Sequence, residues 1–230
     1  MIDARWSVHV LAWNDPRYFF DLVSSLEQQR GTHAHIILIE HVHTNAISST
    51  DVDHHRCVVL RNAREKGFGA SHAQAVQFAL SHWSSEVRSQ RYVVIAHPDC
   101  VFAPDSLFHA EQVFEQQPQV QVIFPRMLCA QLAFSDKGEE RRVIFSDDEE
   151  IGDARPCLFL RASILSELSF KSLSEEKAVR AFLKQCDRHG WKKLSVPESV
   201  IWHHAHHLPA SSFFAKVRSS LWNLLSRLFA

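Results

Sequence analysis

The sequence predicts one α/β domain: a mostly parallel, Rossmann-like sheet with helices on both faces, an antiparallel hairpin and a C-terminal amphipathic helix. Short apolar runs alternate with stretches in which apolar residues recur at helical spacing. Continuous apolar strands between helices are typical of a parallel sheet that is buried on both sides. The chain has 230 residues, of which 46% are hydrophobic and 22% charged, which suits a single domain with a sizeable core.

Strand and helix patterns alternate through the first half of the chain. The first helix is predicted to begin after Asp15, a suitable N-cap, with Pro16 at the first helical position. Further helices are predicted at residues 69–83 and 104–117. Strands are predicted at residues 6–13, 35–40, 57–60, 92–96 and 120–124.

The pattern changes after Pro125. Residues 127–134 and 143–145 predict a hairpin with its turn at Lys137-Gly138, and the acidic residues 147–150 are predicted to form a solvated loop. The remaining elements are a strand at 156–160, a helix at 174–189 that ends at Gly190, and a last strand at 192–196.

Composition narrows the class of protein. A formal net charge of -1 argues against a nucleic-acid-binding surface that covers the whole protein. The five cysteines are odd in number, widely spaced and without a C-x-x-C pair, which favours a reducing compartment. Neither a secretory signal nor an apolar span of about 20 residues is visible in the sequence. These features predict a cytoplasmic protein, with the oligomeric state left open.

Two segments that could bind a ligand follow predicted strands. Gly67 and Gly69 lie in a turn that opens a helix, where backbone N–H groups and the positive helix end favour phosphate. Asp99 lies at the end of a later strand, where a carboxylate can hold a divalent cation. Ligands of open α/β sheets bind at such carboxyl ends. The segments predict a nucleotide diphosphate and a metal, although a tight βα turn and a turn-capping aspartate explain the same residues.

Four motifs in this order resemble the family 2 glycosyltransferases of the GT-A fold, particularly bacterial rhamnosyltransferase-like members. Residues 8–14 resemble the opening strand that ends in asparagine, and residues 62–74, with Gly67-Phe68-Gly69-Ala70, resemble the turn beside the nucleotide-sugar. His97-Pro98-Asp99 stands at the position of the metal-binding Asn-Pro-Asp or D-x-D. Residues 200–204 resemble the late V-x-H motif. The resemblance covers residues 8–207, and residues 1–208 are predicted to form the transferase domain.

The resemblance implies a role for each matching residue. Asp99 and His203 would bind Mn²⁺ or Mg²⁺, and Glu176, with Glu175 as the second candidate, would be the general base. Residues implied to contact the nucleotide-diphosphate sugar are Asn14, Glu40, Asn62, Lys66, Gly67, Phe68, Gly69, His97 and Asp99.

The chain also departs from the family pattern. Glu40-His41 replaces an Asp-Asn pair at the end of the second strand, and counting back from Gly190 aligns neither Glu175 nor Glu176 with the usual Glu-Asp. The two glutamates are also compatible with a helix-dipole role alone. The histidines at 203, 204, 206 and 207 lack zinc-site spacing, so a solvated loop explains most of that cluster.

Residues 209–230 predict a separate amphipathic helix that begins after Ser211-Ser212. Its apolar residues fall mainly on one face, and its cations are Lys216, Arg218 and Arg227. Such a helix either lies in a membrane interface or packs on the domain or a partner.

Together these features predict a metal-dependent transferase. It would move a hexosyl group from a nucleotide-diphosphate sugar to a hydroxyl of a glycan or lipid-linked acceptor, in bacterial surface polysaccharide assembly. A catalytically degenerate binding protein and a nucleotidyltransferase-like enzyme are the alternatives.

Overall fold

The computed structural model describes residues 4–12, 16–41, 56–134, 141–150, 157–170 and 174–204. Side chains are not described at 16, 17, 129–134, 141–150, 176 and 204. The helices are α1 (Pro16–Glu27), α2 (Phe68–His82), α3 (Ser85–Ser89), α4 (Ser106–Gln116) and α5 (Glu175–His189). The strands are β1 (Trp6–Leu11), β2 (Ala34–His41), β3 (Cys57–Asn62), β4 (Tyr92–Ala96), β5 (Cys100–Phe102), β6 (Val120–Phe134), β7 (Arg141–Glu150), β8 (Cys157–Arg161) and β9 (Lys192–His204).

All nine strands belong to one sheet with the order β3-β2-β1-β4-β8-β6-β9-β5, and β7 pairs with β6. The four strands of the first half run parallel, which explains the helices that connect them. The second half is mixed: β6 and β9 are parallel, whereas β8, β5 and β7 pair antiparallel with their neighbours. Because β5 pairs with β9, the chain just after β4 meets the end of the last strand.

Helices cover both faces of the sheet. One core cluster contains Phe19 of α1 and Phe114 of α4, and the other contains Val76 of α2 and Phe182 of α5. Residues of β2 alternate between the two clusters, since successive side chains of a strand point to opposite faces. The prediction of an α/β domain with helices on both faces is therefore confirmed. None of the described helices is both long and apolar enough to cross a membrane.

Strand β4 and helix α5 agree closely with the sequence-based bounds. Gly190 adopts a left-handed φ of 67°, which explains why glycine ends α5. The predicted antiparallel hairpin is present as β6 and β7, whereas its turn at Lys137-Gly138 lies outside the described residues. The predicted N-cap Asp15 and the whole tail 209–230 also lie outside them.

Three sequence-based bounds were wrong. The last strand does not stop at 196 but continues to His204, because it pairs with β6 along most of its length and with β5 at its end. Strand β6 likewise continues past Pro125. The acidic residues 147–150 form the end of β7 rather than a loop. Strand pairing outweighs the local turn and charge signals in each case.

Two buried histidines, His9 of β1 and His72 of α2, predict that acid destabilises the fold. Burial, followed by the charge of His35, lowers the pKa of His9 to about 3, and burial also lowers the pKa of His72. The unfolded chain therefore binds protons near pH 6.5 that the native chain rejects. The contribution of these histidines to the free energy of unfolding is fully present above that pH. It decreases as the pH falls toward 3, by up to ~1.4 kcal/mol per pH unit for each histidine.

Urea unfolding at pH 7, 6 and 5 measures this loss directly. We expect His9→Gln to flatten the pH dependence, whatever its effect on stability at pH 7. His33→Gln is the matched control, because His33 is exposed in the folded chain. An equally steep profile in wild type and His9→Gln would disprove the role of His9.

Candidate metal and donor site

The site lies at the carboxyl end of β4. His97-Pro98-Asp99 connects β4 to β5, and the antiparallel pairing of β5 with β9 sets Cys100 opposite His203. Asp99 Oδ1 is consequently 3.2 Å from Nε2 of His203 and 3.8 Å from Nδ1 of His97. Sheet topology thus brings together residues that are more than a hundred positions apart in the sequence.

Asp99 is largely withdrawn from water, with 12% of its side chain exposed. Burial alone would raise its pKa, but His203 and His97 outweigh burial and hold the pKa below its usual value. Asp99 Oδ1 and His203 Nε2 are both buried, yet neither makes a hydrogen bond of regular geometry within the described part of the chain. Buried polar atoms are rarely left without such a bond, and these two lie close to each other.

His97 contacts two carboxylates. Its Nε2 lies 2.8 Å from Oε1 of Glu175, the first residue of α5. Burial alone would lower the pKa of His97, but Glu175 and then Asp99 outweigh burial and raise it. The ring of Phe68, at the start of α2, lies 6.0 Å from the His97 ring and connects the metal candidates to the glycine turn.

Three side chains offer a set of metal ligands. One ligand atom from each of His97, Asp99 and His203 lies within 4.8 Å of the other two. Two imidazoles and one carboxylate suit Mn²⁺, Fe²⁺, Co²⁺ or Zn²⁺, whereas Mg²⁺ favours oxygen ligands. Asp99 Oδ1 and His203 Nε2, which lie 3.2 Å apart without a hydrogen bond of regular geometry in the described chain, fit a divalent metal. The structure adds His97 to the two ligands predicted from the sequence.

The glycine turn between β3 and α2 is tied to the end of β2. The backbone N–H of Lys66 donates to Nδ1 of His41 at 3.1 Å, and Nε2 of His41 lies 3.2 Å from Oγ of Ser71. The Ser71 hydroxyl also reaches the carbonyl of Gly67. His41, which departs from the family pattern, therefore holds the turn in place. Gly67 and Gly69 do not require a left-handed φ.

Two predicted donor contacts lie at the same edge of the sheet. Asn62 ends β3 opposite His41, and its buried Nδ2 lacks a hydrogen bond within the described chain. Glu40 is the penultimate residue of β2. Its side chain is 4% exposed and accepts a hydrogen bond from Nε of Arg61 at 3.1 Å. An amide donor and a charged pair therefore lie at the strand ends next to the glycine turn.

The predicted residues are not all described equally. Lys66 and the N-cap Gly67 precede α2, and Phe68 and Gly69 are its first two residues. The Lys66 ammonium donates to Oε1 of Gln74 at 3.3 Å. Asn14 lies outside the described residues, and for Glu176 only the backbone in the first turn of α5 is described. Sequence reasoning missed the contact of His41 with the turn and that of Glu175 with His97, since neither has a motif of its own.

Known proteins resemble this chain in structure, but none matches it by sequence. No family model matches the chain. No curated protein matches it by sequence. Solved glycosyltransferase structures do match, each over most of this chain and at 12 to 14% identity.

Three of these structures illustrate the likeness. S. aureus TarS 1-349 in complex with UDP-GlcNAc has a TM-score of 0.62 and 13% identity, covering 91% of this chain and 61% of its own. GalNAc-T7 with UDP, GalNAc and Mn²⁺ has a TM-score of 0.60 and 14% identity, covering 91% and 46%. The mannosyltransferase PcManGT of Pyrobaculum calidifontis, with GDP-Man and Mn²⁺, has a TM-score of 0.58 and 12% identity, covering 90% and 58%.

The chain spans about half to three fifths of these solved chains, so the likeness concerns only part of each. At such low identity the likeness establishes the architecture of the chain and leaves its chemistry to the residues of the site. The described residues of this chain have the GT-A fold that these glycosyltransferases share.

Proposed function

We propose that this protein is a metal-dependent glycosyltransferase. It moves a hexosyl group from a nucleotide-diphosphate sugar to a hydroxyl group of a glycan or lipid-linked acceptor. The observation that carries the proposal is the cluster of His97, Asp99 and His203 at the carboxyl end of the sheet, beside the glycine turn. Ligands of open α/β sheets bind at this edge, and the cluster offers ligands for the cation that a diphosphate requires.

Asp99, His203 and His97 hold the metal in this proposal. When bound, a divalent metal offsets the negative charge that develops on the leaving diphosphate. Asp99 contributes the negative charge of the ligand set, and its lowered pKa keeps the carboxylate ionised at neutral pH. The partial burial of all three side chains limits competition from water.

The glycine turn, Asn62 and Glu40 form the donor pocket. Backbone N–H groups at the start of α2 favour the phosphates, and the buried amide of Asn62 is available to the nucleoside. Asn14, Lys66 and Phe68 complete the predicted donor contacts. The complexes of the structural neighbours with GDP-Man or UDP-GlcNAc support a nucleotide-sugar donor.

Glu176 is the proposed general base toward the acceptor hydroxyl. It lies in the first turn of α5. We favour it over Glu175 because the carboxylate of Glu175 already contacts His97. Proton transfer from the hydroxyl to a carboxylate makes the oxygen a better nucleophile as it attacks the sugar.

The protein would act at the inner face of a bacterial membrane. A rhamnosyltransferase-like role in bacterial surface polysaccharide assembly would bring the acceptor to the inner face of the membrane. The tail 209–230, with its three cations and apolar face, would then be a peripheral anchor. Each cation contributes only ~1 kcal/mol near an anionic leaflet, so insertion of Phe213, Leu221 and Leu225 must supply the remainder.

A donor screen with the full chain tests the activity. Nucleotide release is measured for UDP-, GDP- and dTDP-sugars, with Mn²⁺ or with EDTA, and with either soluble glycans or lipid-linked acceptors in anionic vesicles. We expect one donor to release nucleoside diphosphate only with metal and to release it faster with acceptor. Co-sedimentation with the same vesicles tests the tail. We expect the full chain to sediment with them and a chain ending at Pro209 to stay in the supernatant.

Other results would identify the alternatives. Nucleotide-sugar binding without release would indicate a binding protein, which the replacement of Asp-Asn by Glu40-His41 favours, because His41 has become a support of the turn. Release of pyrophosphate from a nucleoside triphosphate would indicate a nucleotidyltransferase. Either result would overturn the proposed transfer.

A further inference from the structure

Glu175 is the one described acidic side chain of α5 that reaches the metal cluster. Its Oε1 is 2.8 Å from Nε2 of His97, and its side chain is 33% exposed. A hydrogen bond closes the first turn of α5: the N–H of Ala178 donates to the carbonyl of the N-cap Ser174 at 2.9 Å. Further along the helix, Phe182 and Cys186 are buried against the sheet. A packed helix therefore fixes where this carboxylate meets the ring.

The two ring nitrogens of His97 face different carboxylates. Nδ1 lies 3.8 Å from Oδ1 of Asp99, on the side of the cluster that includes His203, whereas Nε2 lies against Glu175. A neutral imidazole binds a metal through one nitrogen and carries its proton on the other. The arrangement therefore divides the two tasks, with Nδ1 toward the metal position and the Nε2 proton toward Glu175.

Building on the metal site of the proposed function, we propose that Glu175 is a positioning residue for His97. Its carboxylate accepts a hydrogen bond from the protonated Nε2, which orients the ring and selects the tautomer whose Nδ1 binds the metal. Carboxylates placed behind a metal-binding histidine raise its basicity, and their removal typically weakens metal binding about 10- to 100-fold. Glu175 thereby has a role distinct from that of a general base.

Co²⁺ titration of the full-length protein tests this role without reference to turnover. We expect Glu175→Ala to weaken Co²⁺ binding by roughly 10- to 100-fold. Glu175→Gln should lose less Co²⁺ affinity, because its amide oxygen still accepts a hydrogen bond from Nε2–H. At saturation, both variants should show the wild-type Co²⁺ absorption spectrum, since the metal ligands are unchanged.

Glu167→Gln is the matched control. Oε2 of Glu167 lies 3.2 Å from Nδ1 of His189, at the other end of α5 and about 20 Å from Glu175. This second carboxylate–histidine pair should leave Co²⁺ affinity unchanged when broken. Thermal unfolding of the metal-free variants confirms that they are folded before titration.

Each contrary result has its own meaning. Unchanged Co²⁺ affinity in Glu175→Ala would overturn the inference, and a simultaneous loss of turnover would identify Glu175 as the base. An altered Co²⁺ spectrum would make Glu175 a direct ligand, which also overturns it. A wild-type chain that fails to bind Co²⁺ would refute the metal site itself, and with it any positioning role.

Discussion

Replacing Asp99 with asparagine is expected to abolish Mn²⁺-dependent binding of UDP or dTDP. Asp99 is the one carboxylate among the three candidate ligands, and its pKa is held below the usual value by His203 and His97 despite burial. The amide has the same shape but no charge. We expect the affinity to fall beyond roughly 100-fold, more than the 10- to 100-fold loss that follows removal of outer-shell partners. Calorimetric titration with nucleotide, in Mn²⁺ or in EDTA, measures the effect.

The control separates loss of a ligand from loss of the fold. Asp105→Asn removes a partly exposed carboxylate nearby in the sequence, where Asp105 pairs with Arg30 at 3.3 Å just before α4. Asp99 lies in the connection between β4 and β5, so its variant should still unfold cooperatively on heating. Nucleotide affinity that is equal in wild type and Asp99→Asn, with Mn²⁺ present, would rule out Asp99 as a metal ligand.

Asp99 and the glycine turn could be predicted from the sequence because both directly follow strands that the local pattern reveals. Asp99 follows an apolar strand, and polar residues at the carboxyl ends of parallel strands converge at one edge of the sheet. Gly67 and Gly69 open a helix directly after another such strand. These relations hold for any sheet of this class, so the turn and the aspartate were identified without knowing the full topology.

The rest of this site depends on pairings between distant segments. His203 approaches Asp99 only because β9 extends to 204 and pairs antiparallel with β5, a strand of three residues that sequence periodicity cannot detect. The contact of Glu175 with His97 requires the start of α5 to lie beside the end of β4. The resemblance to a known family gave His203 in advance, whereas nothing in the spacing gave the pairing of Glu175.

His41 shows a different limit of sequence reasoning. In the sequence, His41 stands out only as part of the Glu40-His41 pair that departs from the family pattern at the end of the second strand. In the structure its ring joins the end of β2 to the glycine turn, through the N–H of Lys66 and the hydroxyl of Ser71. These contacts join residues 25 and 30 positions apart, so local sequence rules do not predict them.

The second large effect is expected for Glu176→Gln, which should lower turnover by about 10² to 10⁴-fold with little change in donor affinity. A general base acts on the acceptor hydroxyl in the transition state, so its removal affects kcat more than the binding of the nucleotide-sugar. Glu176 lies in the first turn of α5, next to the Glu175 carboxylate that contacts His97. Steady-state kinetics with donor and acceptor varied separately, together with calorimetry of the donor, distinguish the two effects.

Glu86→Gln is the matched control for this variant, because Glu86 also lies in the first turn of a helix but is exposed on α3. A carboxylate there stabilises the helix by about 0.3–1 kcal/mol through its interaction with the helix dipole. A purely structural role for Glu176 therefore predicts a similar small loss of stability in both variants, with normal turnover. A base predicts a kinetic defect in Glu176→Gln alone. Equal turnover in wild type and Glu176→Gln would move the base to Glu175 first, and then to Glu40 or Asp153.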